Sequence, residues 1–178
     1  MMHSIELLLD ERSDATVRTH WSQLTDAGLP SAGRHLTPTN RPHVTVLVSS
    51  RIRAEADAAC AHLSMRFPIP MTIGAPILFG RPERVILARL VVPTAELLDL
   101  HAEVVDLSAD HIADAPPPLH TAPGSWTPHV TIARRLDPEQ LTRALDVADL
   151  QTPIDGRFVA LRRWDSDART ETRIAGVR

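Results

Sequence analysis

The chain has no lysine, no tyrosine and a single cysteine, Cys60, in 178 residues. Without lysine it has no amine nucleophile, no Schiff base and no lysine of a phosphate-binding loop. With one cysteine it has no internal disulfide and no cysteine-based zinc knuckle. Cys60 reads as a small apolar residue packed in a helix. Aromatics are scarce, with three Phe and three Trp, so few surfaces are available for stacking on bases. No apolar run approaches the roughly 18 residues of a membrane span. Excess positive charge is also missing: the formal net charge is −3. A protein that tracks long nucleic acid over many phosphates is usually basic, so any phosphate contact here is focused on one or two groups. The first residues lack the basic segment and long apolar core of a secretory signal, which predicts a cytoplasmic protein. The length fits one domain.

What the chain does have is a pentapeptide written twice: Pro42-His43-Val44-Thr45-Val46 and Pro128-His129-Val130-Thr131-Ile132. Composition alone yields Pro-His-x-Thr only about 0.06 times in a chain of this make-up, so two copies are not accident. Side chains on a strand alternate faces. His43 and Thr45 therefore share one face, and His129 and Thr131 share one face, while Val44, Val46, Val130 and Ile132 turn into a core. If the strands meet, one pocket holds two imidazoles and two hydroxyls. The bland reading is two ordinary buried strands with satisfied histidines.

The element pattern repeats around these strings. Strands are expected at Ser4–Leu9, His43–Ser49 and Phe67–Ala75, the last at a sheet edge because of Pro68 and Pro70. Helices are expected from a cap at Ser13 or Asp14 to about Ala27, and from about Ile52 to Met65. In the second half, Arg84–Val91 is a strand, with Ile77–Gly80 as a candidate hairpin partner. Pro93-Thr94 opens a helix to about Ile112. A loop, Ala113–Pro128, leads to the strand His129–Arg134. Asp137-Pro138-Glu139-Gln140 starts a further helix, with Leu141 and Leu145 as its apolar stripe. Phe158–Trp164 and Thr170–Val177 read as a hairpin. Each half runs strand, helix, loop, motif strand, helix, strand, a duplication of element order. The expectation is a single domain of two pseudo-symmetric lobes, approximately residues 1–75 and 76–178.

Imidazole works as acid or base near neutral pH. Two of them on opposite sides of a phosphorus atom can deprotonate the attacking oxygen and protonate the leaving one. Threonine hydroxyls two residues on can donate to the non-bridging oxygens.

These paired strings resemble the His-x-Thr-x motifs of the two-histidine (2H) phosphoesterase superfamily, in particular its RNA 2′,3′-cyclic phosphodiesterase and 2′-5′ RNA ligase-like branch. The resemblance covers the whole length. It implies an α+β fold of two lobes, each with an antiparallel sheet flanked by helices, around a central cleft. It implies hydrolysis of a 2′,3′-cyclic phosphate to a 2′-phosphomonoester, with 2′-5′ ligation in some members. On the matching residues, His43 is the proton donor to the 3′-oxygen and His129 the base that activates water. Thr45 and Thr131 hold the phosphate, and Arg134 matches an arginine often found on it. Strict alternation instead puts Arg135 on the His129 face, so Arg134 needs a bulge to turn inward. Val48 stands at the equivalent place in the first motif, so the clamp is one-sided.

Trp126 is a candidate pocket wall, or a loop anchor packed on the lobe; Phe79 is a weaker wall candidate. Arg41, Arg81 and Arg84 are candidates for further phosphates or ordinary surface cations. The substrate is an RNA end or a small cyclic nucleotide, with a tRNA half and an ADP-ribose derivative left open. No cofactor, no metal, no membrane and no obligate protein partner are expected. The competing readings are a nucleotide-binding module without turnover, a metalloenzyme and a Ser or Cys hydrolase. The remaining histidines (His3, His20, His35, His62, His101, His111 and His120) are scattered and show no metal-ligand spacing. No Gly-x-Ser-x-Gly occurs.

Overall fold

The computed structural model describes residues 2–34, 37–113 and 121–177. His35, His120 and the Ala-Pro-Pro-Pro stretch of the predicted loop lie outside the described residues. Among the described residues, seven strands and four helices follow in the order β1 (His3–Leu9), α1 (Glu11–Asp26), β2 (His43–Ser49), α2 (Glu55–Cys60), β3 (Ile69–Arg81), β4 (Arg84–Val91), α3 (Ala95–Ser108), β5 (His129–Leu136), α4 (Pro138–Val147), β6 (Ile154–Asp165) and β7 (Thr170–Gly176). This is the expected α+β fold, and its strand pairings are antiparallel.

The duplication appears in the sheet. Strands β2-β1-β6-β7 form one group and β5-β4-β3 the other. Exchanging β1 with β4, β2 with β5 and β3 with β6 maps one group on the other. The third strand of each half thus completes the opposite half's group, so spatial grouping crosses the chain midpoint. Contacts between β3 and β6, over Ile69–Ile73, knit the groups together at one side. A single pair, Val44 opposite Val130, joins β2 to β5 at the other.

Local chemistry explains most boundaries. The cap of α1 is Asp10, three residues ahead of Ser13, because the Asp10 carboxylate accepts from Ser13 N–H at 2.9 Å and Ser13 stands inside the first turn. Thr94 caps α3 by accepting from Leu97 N–H. The reciprocal box between Asp137 and Gln140 starts α4 as expected. Its apolar stripe is narrower than predicted: Ala144 is buried, whereas Leu145 is 43 % exposed. The second predicted helix is α only over Glu55–Cys60 and tightens to 3₁₀ over Ala61–Arg66.

The predicted strands Phe67–Ala75 and Ile77–Gly80 are one strand, β3. It does not lie at an edge; it lies between β6 and β4 and passes from one to the other at Ile73. Register slips there, between Ile73 and Pro76. The fully buried Arg89 meets the backbone at the slip, donating to Ile73 O, Gly74 O and, at 2.7 Å, Thr152 O.

The motif strands lie against the core as alternation requires. Val44, Val46, Val130 and Ile132 are fully buried and belong to one apolar cluster. Pro42 and Pro128 are buried, and His43, Thr45, His129 and Thr131 are half-buried on the other face.

Candidate active site

The Val44–Val130 pair sets the site. Continuing its antiparallel register by one residue brings His43 opposite Thr131 and Thr45 opposite His129. The two motifs therefore face one another across a local twofold axis. The local geometry repeats in detail. His43 donates from Nδ1 to Arg41 O at 2.6 Å, and His129 from Nδ1 to Thr127 O at 2.7 Å. A carbonyl only accepts, so each ring carries a proton on Nδ1, and Nε2 is the atom at which either ring can give or take one. In each motif the proline between that carbonyl and the histidine fixes the approach.

Each motif also carries a bulge. On β2, Ile5 pairs with Leu47 and Glu6 with Thr45, leaving Val46 as the extra residue. On β5, Leu87 pairs with Ala133 and Ala88 with Thr131, leaving Ile132. Bulging at the residue after each threonine reverses the parity beyond it. Arg134 thereby reaches the Thr131 side, and its guanidinium lies 3.4 Å from Thr131 Oγ1. Arg135 follows in the left-handed region, at φ 64°. Both arginines, with Arg34, His43 and Thr131, line a cavity of about 640 Å³.

Two tryptophans tie down the backbone of the motif strands. Trp126 donates from its indole N–H to Thr45 O at 2.9 Å and stacks on His101 with ring centroids 4.0 Å apart. Its counterpart is Trp21 on α1, which donates to Thr131 O at 3.0 Å and borders the cavity. Sequence reading missed Trp21, whose place among Val17 and Leu24 reads as helix core. Phe79 lies on the His129 ring, centroids 4.6 Å apart. Arg41 pairs with Asp14 through its side chain, and Arg81 and Arg84 are exposed at the β3–β4 turn.

A second missed residue breaks the symmetry. Glu6 stands opposite Thr45 on β1, where the other half has Ala88 opposite Thr131. Its carboxylate is buried, 3.6 Å from His43 Nε2, and bonded to Ser4 Oγ at 2.6 Å and to Arg162 Nε at 2.8 Å. Burial pushes the Glu6 carboxyl up, but the charges of His43 and Arg162 and the Ser4 hydroxyl outweigh it and hold it below the usual range. Arg162 also meets Thr39 O and Glu171. Glu6 is thus an ionised carboxylate on the Nε2 side of the His43 ring. The signal for it was one acid in an otherwise apolar strand, Ile5-Glu6-Leu7.

Other polar clusters have structural explanations. His3, Asp165 and Asp167 place ligand-type atoms within 4.8 Å of one another. His3 Nδ1 accepts from Ile52 N–H, which puts the ring proton on Nε2, where it donates to both carboxylates. This braces β1 against the β6–β7 turn. Cys60 is fully buried, and burial pushes its thiol up, away from nucleophilic use.

A family model described as the 2′-5′ RNA ligase superfamily matches residues 13–170. The chain belongs to that superfamily, a part of the 2H phosphoesterases. It is similar to the protein TT0787 of Thermus thermophilus, at 15 % identity over the whole of both chains with a TM-score of 0.58. It is similar to LigT of Escherichia coli, at 16 % identity over 97 % of this chain and 93 % of that one, TM-score 0.53. Usb1 of Kluyveromyces marxianus aligns at 11 % identity over 98 % and 97 %, TM-score 0.52. No curated protein matches the chain in sequence. Among the described residues, no helix is long and apolar enough to cross a membrane.

Proposed function

We propose that this chain hydrolyses a 2′,3′-cyclic phosphate on RNA or a nucleotide to the 2′-phosphomonoester, without a metal, using His43 and His129 as acid and base. The observation that carries this is the crossed register of the two motifs, His43 opposite Thr131 and His129 opposite Thr45, with both Nδ1 atoms committed to carbonyls. A phosphorus atom between them meets one imidazole Nε2 on each side and a hydroxyl from each strand. His129 takes a proton from water as its oxygen bonds to phosphorus. The bond from phosphorus to the 3′-oxygen breaks, and His43 Nε2–H gives that oxygen a proton. Thr45, Thr131 and Arg134 donate to the non-bridging oxygens as charge grows there. Glu6 supports the acid role of His43, since its buried carboxylate stands at the Nε2 side of that ring. A 5′-hydroxyl in place of water gives the 2′-5′ linkage by the same proton transfers.

Structures of related proteins include LigT complexed with 3′-AMP and with NADP+, and Usb1 with uridine monophosphate. These support a nucleotide in the cleft of this chain as well.

The test is incubation with 2′,3′-cyclic nucleotides and with oligomers ending in a cyclic phosphate, in excess chelator, assigning the phosphate position in the product. A 2′-phosphate is expected, with a bell-shaped pH–rate profile. H43A and H129A are each expected to lose about 10²–10⁴-fold in rate, and T45A and T131A less. Affinity without product would make the site a binding module. Full activity in a variant lacking both histidines would end the proposal.

A further inference from the structure

His43 borders a second cavity. It encloses about 630 Å³, shares His43 and Asn40 with the first, and opens toward the β6–β7 turn. That volume suits a small organic ligand. The two cavities differ in chemistry. The first presents Arg34, Arg134 and Arg135, with no carboxylate among its described lining residues, and its indole, Trp21, is only 5 % exposed. The second has Glu6 and Arg162 in its lining, a buried pair whose charges are met within the protein, and a half-buried Trp164 in its wall.

Two further features point to an occupant. Ser166 lines this second cavity, and its Oγ, turned away from solvent, has no hydrogen-bond partner. A buried hydroxyl left unmet is costly, and rotation about the Ser166 Cα–Cβ bond would bring it to a polar ligand atom in the cavity. Arg169, at φ 55°, also lines this cavity. Among the described residues, Arg135 and Arg169 are the non-glycine residues with positive φ, and each borders one of the two cavities at His43. Left-handed backbone at a bulky residue is strained and persists where its surroundings impose it, often at ligand sites.

We propose that this second cavity seats the nucleoside attached to the leaving oxygen, its base stacked on Trp164, its polar edge at Ser166 and Arg169 at the mouth. The inference rests on the proposed role of His43 as proton donor. A leaving oxygen protonated by His43 belongs to the ribose, so the nucleoside must extend from the His43 side. Of the two cavities there, the one with three arginines fits phosphate oxygens, and the one with an accessible indole fits a base.

The test is calorimetric titration of the full chain with the four nucleoside 2′-monophosphates, which the proposed reaction leaves unchanged. Inorganic phosphate and ribose 5-phosphate serve as probes without a base. Nucleotides are expected to bind roughly 10- to 100-fold more tightly than ribose 5-phosphate. W164A is expected to remove that advantage and keep phosphate affinity, which also reports an intact fold; W164F is expected to retain most of it. S166A is expected to weaken the four nucleotides unequally. Unchanged nucleotide affinity in W164A overturns the proposal. So does loss of the base advantage in an R34A R135A variant with W164A unaffected, because the base would then lie in the first cavity. Trp164-dependent binding without any cyclic-phosphate turnover would fail the enzymatic reading and leave the base seat standing. Turnover with a KM that W164A does not change would do the reverse.

Discussion

Trp21 and Trp126 make the same bond from opposite sides. Each indole N–H donates to the main-chain carbonyl of a motif threonine, Trp21 to Thr131 and Trp126 to Thr45. One comes from a helix and the other from the approach to β5, yet both fix the backbone whose hydroxyls are proposed to hold phosphate. Replacing either by Phe keeps most of the apolar contact and leaves a carbonyl without its donor. W21F and W126F are each expected to cost about 1–3 kcal/mol in urea denaturation and to raise the KM for a cyclic phosphate. A pair of variants with wild-type stability and KM would make these bonds incidental.

The motif faces were legible in sequence because a strand has period two and the two strings agree residue by residue. Their crossed register was not, since the contact rests on one pair, Val44 with Val130. Nor was the strand exchange, because β3 and β6 have no local feature that chooses which half they join. Arg134 shows a subtler limit. Alternation selected Arg135, and only an extra residue, Ile132, turns Arg134 inward. Bulge positions depend on the partner strand, so no local pattern marks them. Glu6 was visible as an acid in an apolar run, but its partner Arg162 lies 156 positions away.

The bulge makes Arg134 and Arg135 experimentally separable. Arg134 reaches Thr131 Oγ1, whereas Arg135 borders the same cavity from the strained position after it. A charged hydrogen bond to phosphate contributes about 1.5–3 kcal/mol, so R134A is expected to lose roughly 10- to 100-fold in kcat/KM. R134K should recover part of this, because it keeps the charge and loses the bidentate fork. R135A is expected to lose less. Equal losses for the two variants would show that the bulge does not select between them.

Glu6 and Arg162 form a buried pair whose other business is with His43. Substituting E6Q removes the negative charge 3.6 Å from Nε2 and keeps the shape. The expected kinetic result is a fall of about tenfold in kcat, roughly 1.4 kcal/mol, with the alkaline limb of the pH–rate profile moved to lower pH. Arg162 would retain Glu171, so the stability cost should be about 2–3 kcal/mol, below that of stranding a charge outright. Because the folded carboxyl sits below its ordinary value of 4.5, its contribution is complete above that pH and is lost as pH falls through the lowered folded value. Acid unfolding of E6Q should lack that component. A profile with unmoved limbs would reduce Glu6 to a structural role.

Two buried histidines predict a different pH dependence, one of stability and not of rate. His101 lies 2 % exposed beneath Trp126, and His20 lies 6 % exposed on α1. Burial pushes both imidazoles down from 6.5; for His101 bonds to the Thr121 and Val46 backbone oppose this in part, and for His20 the nearby charge of Arg89 adds to it. The folded state therefore holds these protons less tightly than the unfolded chain does. Their contribution is complete above about pH 6.5 and is lost as pH falls below it, because the unfolded state then binds more protons. Stability from urea denaturation should decline between about pH 7.5 and 5.5, and the decline should be shallower in an H20Q H101Q variant. That slope is the readout, since the substitutions also lower stability at every pH. An equal slope in the wild type and the variant would assign the acid sensitivity to other groups.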